Sequence, residues 1–235
     1  MPTTNESASM ELFTYPLTHN PIKIALLLEY INSPLTPKGR SIPITTHAVY
    51  LDQLEHHSER FTDINPNQKI PVLVDGDSVL WESNAILHHL NARFESDCWP
   101  QNHGDQSHVL RWLMWEASRW NHCIGSLLKN RVYFPFWGYE GNQKEIEKQS
   151  QRLEKLLDVL DQELQYKPYL TGHKLTIADI AIAAPLIYAS ELMINFERHS
   201  GVKLWLHQLA QSDWWQACQQ KLTRFRKQSS AHTAE

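Results

Sequence analysis

Residues 65–91 read NPNQKIPVLVDGDSVLWESNAILHHLN. Two short apolar runs, IPVLVD (70–75) and SVLW (78–81), flank the turn-forming Asp75-Gly76-Asp77. That pattern predicts a β-hairpin. Ser83 then precedes Ile86, Leu87, Leu90 and Phe94, a spacing that predicts a helix with one apolar face and Ser83 as its N-cap. Pro71 stands near the start of the first strand, where it cannot donate to the ladder. With a cis bond to Ile70, the chain turns sharply and Ile70 presents its own N–H and C=O to an extended peptide. The start of the helix at Ser83 offers unpaired N–H groups and a favourable dipole to a carboxylate, and Glu82 offers an acceptor to an ammonium. Together these groups suit a small zwitterionic peptide. A plain hairpin followed by a capped helix would carry the same local pattern.

On the N-terminal side, residues 1–9 are polar and are expected to form a tail. ELFTY (11–15) reads as a strand, and Asn20-Pro21 as an N-cap and first-turn pair. Ile24, Leu27, Leu28 and Ile31 then supply a helix face. IPITTHAV (42–49) reads as a strand with Pro43 at its beginning, and 54–61 as a short polar helix. Residues 10–94 therefore predict the order βαβαββα, an α/β domain with a mixed sheet and helices on both faces.

On the C-terminal side, residues 95–104 (ESDCWPQNHG) lack periodicity and are expected to be a linker. Residues 105–227 read as an all-helical domain, with residues 228–235 as a second polar tail. One long helix is expected over 105–129 and another over 142–165, the latter with Ile146, Leu153, Leu156, Leu157, Leu160 and Leu164 on one face. Thr176-Ile177-Ala178-Asp179 is a capping box in its Asp form, flanked by Leu175 and Ile180 as a hydrophobic staple. Pro185 should interrupt the helix that follows.

Composition bounds the function class. The 235 residues carry a net charge of −4 with a pI near 6.3, which gives no broad electrostatic case for nucleic acid. The three cysteines, Cys98, Cys123 and Cys218, are scattered and suggest a reducing compartment. No secretory signal is visible, and the apolar stretch 175–194 is interrupted by Asp179, Pro185 and Glu191, so a membrane span is not expected. The expectation is a soluble cytoplasmic protein. His88 and His89 are adjacent and cannot share a helix face, and no metal site is predicted.

The stretch 65–91 resembles the glutathione-binding half of the thioredoxin-like domain in the cytosolic glutathione S-transferase family, and βαβαββα is that domain's order. The Thr-x-x-Asp box likewise resembles the start of the family's buried C-terminal helix. The resemblance implies that Ile70, before cis Pro71, pairs with the cysteinyl backbone of glutathione, while Glu82 and Ser83 hold its γ-glutamyl end. His56-His57, Lys69-Ile70 and Glu82-Ser83 keep the thirteen-residue spacings of the phi type, which implies His56, His57 and Lys69 at the glycyl carboxylate.

The loop before the first helix is where the resemblance implies the thiol chemistry. A thiolate there is favoured by the helix dipole and by hydroxyl or N–H donors. Phi- and theta-type enzymes place a catalytic serine five residues before a basic residue; Thr18 stands five before Lys23, with threonine in place of serine. Nu-type and yeast-prion-like relatives resemble this chain in Thr18-His19-Asn20 and favour disulfide reduction. Thr18 and Asn20 are thus the catalytic candidates, and Tyr15 is a third hydroxyl. Ordinary turn and cap duty would also explain Thr18 and Asn20.

Trp115, Arg119 and His122, spaced four and three, are expected to share one face of the long helix. With Tyr15 they are the residues the resemblance implies for a second-substrate pocket. The implied function is activation of glutathione, as co-substrate, for attack on a small electrophile or a mixed disulfide by a two-fold homodimer. The rival is a non-catalytic interaction protein on the same fold, since stringent starvation proteins, which bind bacterial RNA polymerase, resemble the same NPNQ…VLVD…LWES run.

Overall fold

A computed structural model describes residues 10–33 and 42–232, with side chains through residue 228. Strand β1 (Met10–Thr14) alternates buried and half-buried residues, with Met10, Leu12 and Thr14 inward, as a strand packed on one face requires. Helix α1 (His19–Asn32) buries residues all round, from Pro21 and Ile22 to Leu26, Leu27 and Ile31. It lies between the sheet and the C-terminal helices, so both of its faces are covered. Strand β2 (Ile44–Ala48) returns parallel to β1, with Leu12 opposite Thr46.

The expected helix at 54–61 divides in two. A 3-10 turn at Glu55–His57 precedes α2 (Glu59–Ile64), because Ser58 leaves the helical backbone and its Oγ caps α2 by accepting the Phe61 N–H at 3.3 Å. The hairpin forms as β3 (Val72–Asp75) and β4 (Ser78–Trp81), with Gly76 at φ +59 in the turn, a conformation that glycine adopts without steric cost. The bond Ile70–Pro71 is cis. β3 is antiparallel to β1 and to β4, which gives one mixed sheet in the order β2-β1-β3-β4.

Helix α3 (Ser83–Arg93) starts one residue earlier than expected. Glu82, not Ser83, is its N-cap, with φ +71, and Ser83 is already helical. After 94–102, which hold no regular element, α4 (His103–Trp115) is capped by Asn102, whose Oδ1 accepts the Asp105 N–H at 2.8 Å. The long helix expected over 105–129 is interrupted. A π turn at Glu116–Trp120 leads into α5 (Asn121–Leu128), and a second at Lys129–Tyr133 into the short α6 (Phe134–Phe136). π turns recur at functional contacts, and both occur where this chain meets α1. Helix α7 (Gln143–Leu164) follows, capped by Asn142.

Helix α8 (Ile177–Ala183) is buried throughout, and Pro185 lies in the 3-10 segment Ala184–Tyr188 that ends it, as its missing N–H requires. The buried Asp179 carboxylate accepts from the Thr176 N–H (2.9 Å), the Thr176 hydroxyl (2.8 Å), the Leu170 N–H (2.9 Å) and the Trp205 indole (3.1 Å). Helix α9 spans Ser200–Ala210, and α10 spans Asp213–His232, beyond the polar tail expected from residue 228. One apolar core runs from Met10 on β1 through α1, α5, α7 and α8 to Leu222 on α10. The Tyr188 hydroxyl donates to Leu17 O at 2.7 Å across it. The sheet and the helical bundle are thus packed as one body around α1, and the start of α1 is held from both sides.

Candidate functional site

A cleft of about 160 Å³ opens where β3, β4 and the starts of α1 and α3 converge. Its walls are Asn20, Asn65, Asn67, Lys69, Ile70, Pro71, Trp81, Glu82 and Ser83. The turn into β3 is ordered by Asn65, which is buried. Its Nδ2 donates to Lys69 O at 2.7 Å and its Oδ1 accepts the Asn67 N–H at 3.0 Å. Neither the N–H nor the C=O of Ile70 has a hydrogen-bond partner among the described residues. Glu82 holds a positive φ that costs a non-glycine residue free energy, and α3 begins beside it at Ser83, in the cleft wall.

The first turn of α3 rests on a buried ion pair. Lys23 of α1 and Glu116 of the first π turn are both fully buried, with Nζ to Oε1 at 2.7 Å. Lys23 Nζ also donates to Ser83 Oγ at 3.2 Å and to Asn84 Oδ1 at 3.5 Å, and Asn84 Nδ2 donates to Glu116 Oε2 at 2.9 Å. Burial pulls the Lys23 ammonium below its ordinary value, and the Glu116 carboxylate opposes that. Sequence reading missed Glu116; a carboxylate in a helix that turns toward the core was its one signal.

The structure separates the thiol candidates. Thr18 is buried and is not part of the cleft wall; its hydroxyl donates to Tyr15 O at 3.1 Å. It is the N-cap residue of α1, the position the sequence suggested for Asn20, although its side chain makes no cap bond. Asn20 does line the cleft. Its Oδ1 accepts from Ser83 Oγ at 3.5 Å and from Asn121 Nδ2 at 3.2 Å, which leaves its own amide N–H groups as the donors available to the cleft. Tyr15 is buried among Tyr50, Trp137 and Phe225, and burial raises its pKa, which keeps the phenol protonated.

His56 is half-buried and His57 exposed, and neither is in the cleft wall; their ring centroids are 3.9 Å apart. His57 Nδ1 meets Gln68 Oε1 at 2.6 Å. Burial, then His57 and Lys69, lower the His56 pKa.

Trp115, Arg119 and His122 do not form a shared face toward the cleft. Trp115 packs between Trp112 and Trp120 and lines a separate groove with Arg111, Glu163 and Tyr166, while Arg119 and His122 are exposed. The expectation assumed α-helical spacing, and the wider π turn rotates every later residue. It brings Glu116 and Asn121 toward α1 instead. Among the described residues no group of three or more His, Cys, Asp or Glu could hold a metal ion, and no helix is long and apolar enough to cross a membrane.

Comparison with known proteins matches residues 42–92 to the glutathione S-transferase N-terminal domain and residues 118–213 to the glutathione S-transferase C-terminal domain. The chain is 30% identical over 191 residues to mouse glutathione S-transferase theta-2, covering 77% of this chain and 78% of the relative. A glutathione S-transferase structure from Pseudomonas fluorescens superposes with a TM-score of 0.77 at 29% identity, over 88% of this chain and 97% of that one. Human glutathione transferase theta-2, in complex with glutathione, superposes with a TM-score of 0.79 at 24% identity, over 95% and 91% of the two chains.

Proposed function

Because the chain belongs to the glutathione S-transferase family, we propose that it binds glutathione in the cleft between β3 and α3 and ionises its thiol for attack on a small electrophile or a mixed disulfide. The observation that carries this reading is the wall of one cleft made by Asn20, Lys69, Ile70, Glu82 and Ser83. Ile70 offers its unpaired N–H and C=O to the cysteinyl backbone. The first turn of α3, with Ser83, takes the γ-glutamyl carboxylate, and Glu82 takes the ammonium. Lys69 faces the glycyl carboxylate, with the lowered pKa of His56 leaving that ring a neutral neighbour.

The Asn20 amide and the dipole of α1 face the sulfur. An ordinary thiol has a pKa of about 8.5, and lowering it by one unit is worth roughly 1.4 kcal/mol. A charge-assisted hydrogen bond of about 1.5–3 kcal/mol supplies that. The thiolate sulfur then forms a bond to the electrophilic carbon as the leaving group departs with its electron pair. With a mixed disulfide it forms a new S–S bond as the other thiolate leaves. Thr18 supports the turn through Tyr15 O rather than meeting the sulfur.

We also propose division into a domain of residues 10–94 and a helical domain of 105–227, a cytoplasmic location, and a two-fold homodimer. The free cysteines among the described residues are all buried, in keeping with a reducing compartment. Val79 and Trp81 on β4, with Leu110 and Met114 on α4, are large apolar side chains left exposed on the single chain, as an uncovered interface would leave them. Light scattering at micromolar concentration is expected to give about twice the 27.4 kDa of one chain, and a value of 27.4 kDa overturns the dimer. Calorimetry with reduced glutathione tests the central reading. Micromolar to low-millimolar binding is expected, and no binding turns the reading to an interaction protein on this fold.

A further inference from the structure

We propose that Tyr133, His19 and Asn121 are positioning residues that fix which end of the Asn20 amide faces the cleft. The inference rests on glutathione as the ligand of that cleft. The four residues form a continuous hydrogen-bonded file across the two halves of the molecule. The His19 N–H donates to Tyr133 Oη at 3.1 Å, and the same hydroxyl meets His19 Nδ1 at 3.0 Å. His19 Nε2 meets Asn121 Oδ1 at 2.5 Å, and Asn121 Nδ2 donates to Asn20 Oδ1 at 3.2 Å.

The polarity of the file follows from proton counting. Burial, then the Lys23 charge, lower the His19 pKa to about 4, so the ring is neutral near pH 7 and carries one N–H. Tyr133 already accepts from the His19 backbone, and burial raises the pKa of its phenol; its single O–H is free to donate to Nδ1. The ring proton then sits on Nε2 and donates to Asn121 Oδ1. Asn121 is thereby oriented with its amide nitrogen toward Asn20 Oδ1, and the Asn20 N–H groups are left for the sulfur. A ring protonated on Nδ1 would reverse each link. Both amides would turn, and Asn20 would present its carbonyl oxygen, which repels a thiolate.

Gly125 supports this reading from a different side. It lies inside α5, where glycine weakens a helix relative to alanine. A Cβ at this position would meet His19 Cε1 at 3.1 Å and Nε2 at 3.4 Å. The absent side chain leaves the space in which the His19 ring stands against Asn121.

The test is the titration of glutathione bound to the full chain, read by ultraviolet thiolate absorbance, with affinity and kcat measured alongside. Tyr133→Phe and Asn121→Leu are each expected to raise the pKa of the bound thiol by about 0.5–1 unit, the worth of one hydrogen bond. The dissociation constant of glutathione is expected to change less than threefold. Gly125→Ala removes no polar group and should shift the titration in the same direction, which keeps the test open if Tyr133→Phe does not fold. His19→Gln places one N–H near the ring Nε2 position and should recover most of the shift produced by His19→Leu. Titrations of Tyr133→Phe, Asn121→Leu and Gly125→Ala that match the unaltered protein, while Asn20→Ala shifts, overturn the positioning role and leave the glutathione reading standing. An equal shift for His19→Gln and His19→Leu also overturns it. No glutathione binding by the unaltered protein removes the reading beneath it.

Discussion

Replacing Glu116 by leucine strands the ammonium of Lys23 in a site from which solvent is excluded. The unaltered pair is fully buried at 2.7 Å, and breaking such a pair from one side costs about 3–5 kcal/mol. The ceiling can be worked from the chemistry. Lys23 can escape the penalty by losing its proton, and from an unfolded pKa of about 10.4 that costs about 4.6 kcal/mol at pH 7, at about 1.36 kcal/mol per unit. Ser83 Oγ and Asn84 Oδ1 remain as acceptors at 3.2 and 3.5 Å, so Glu116→Leu should destabilise by about 3–4.5 kcal/mol at pH 7.

The pH dependence has a definite sign. In the variant the folded pKa of Lys23 lies further below its unfolded value, so the unfolded chain binds more protons and stability rises with pH. At pH 9 the ceiling falls to about 1.9 kcal/mol by the same conversion. Equilibrium urea unfolding at the two pH values measures both quantities. The pair Lys23→Met with Glu116→Leu removes both charges and should cost less than Glu116→Leu alone. A Glu116→Leu cost below about 1 kcal/mol at pH 7, or one that does not shrink with pH, refutes the reasoning, because the ammonium would then be finding water or another anion.

Asp179→Ala orphans four buried donors, on Leu170, Thr176 (two) and Trp205. It should cost about 2–5 kcal/mol in urea unfolding, more than a helix cap alone, with glutathione affinity unchanged. Burial raises the Asp179 pKa from 3.8 to about 6. The folded state thus holds this proton more tightly, and that contribution to stability is present below about pH 4 and lost as pH rises through about 6. The melting temperature of Asp179→Asn relative to the unaltered protein should therefore rise over that window. Asn20→Ala should raise the pKa of bound glutathione by about one unit, whereas Thr18→Val, whose hydroxyl is committed to Tyr15 O, should leave it nearly unchanged and lower stability by about 1 kcal/mol. The opposite order in the titration returns the thiol contact to Thr18.

The elements of the sheet domain were legible because their signals are local. Turn residues between two apolar runs gave the hairpin, and helical spacing after Ser83 gave α3 within one residue. The cleft was largely legible for the same reason. Lys69, Ile70 and Pro71 lie on one side of the hairpin and Glu82 and Ser83 on the other, so pairing β3 with β4 is enough to bring them together, as Val72 opposite Trp81 shows. The resemblance supplied the ligand; the residues supplied the place.

The direction of each polar side chain was decided only by the tertiary structure. Thr18 and Asn20 are two residues apart and equally plausible in a line of letters. One hydroxyl turns back to Tyr15 O, and the other side chain is drawn outward by Ser83 and by Asn121, the latter 101 positions away. His19 and Tyr133 are 114 positions apart, and no period or cap connects them. The face of the helix after Trp115 could not be counted either, because periodicity assumes one helical repeat and the chain uses two. A local pattern records which backbone a segment prefers. Which partner satisfies a buried polar group depends on what packing brings within about 3 Å, and that distance does not exist until the domains are folded against each other.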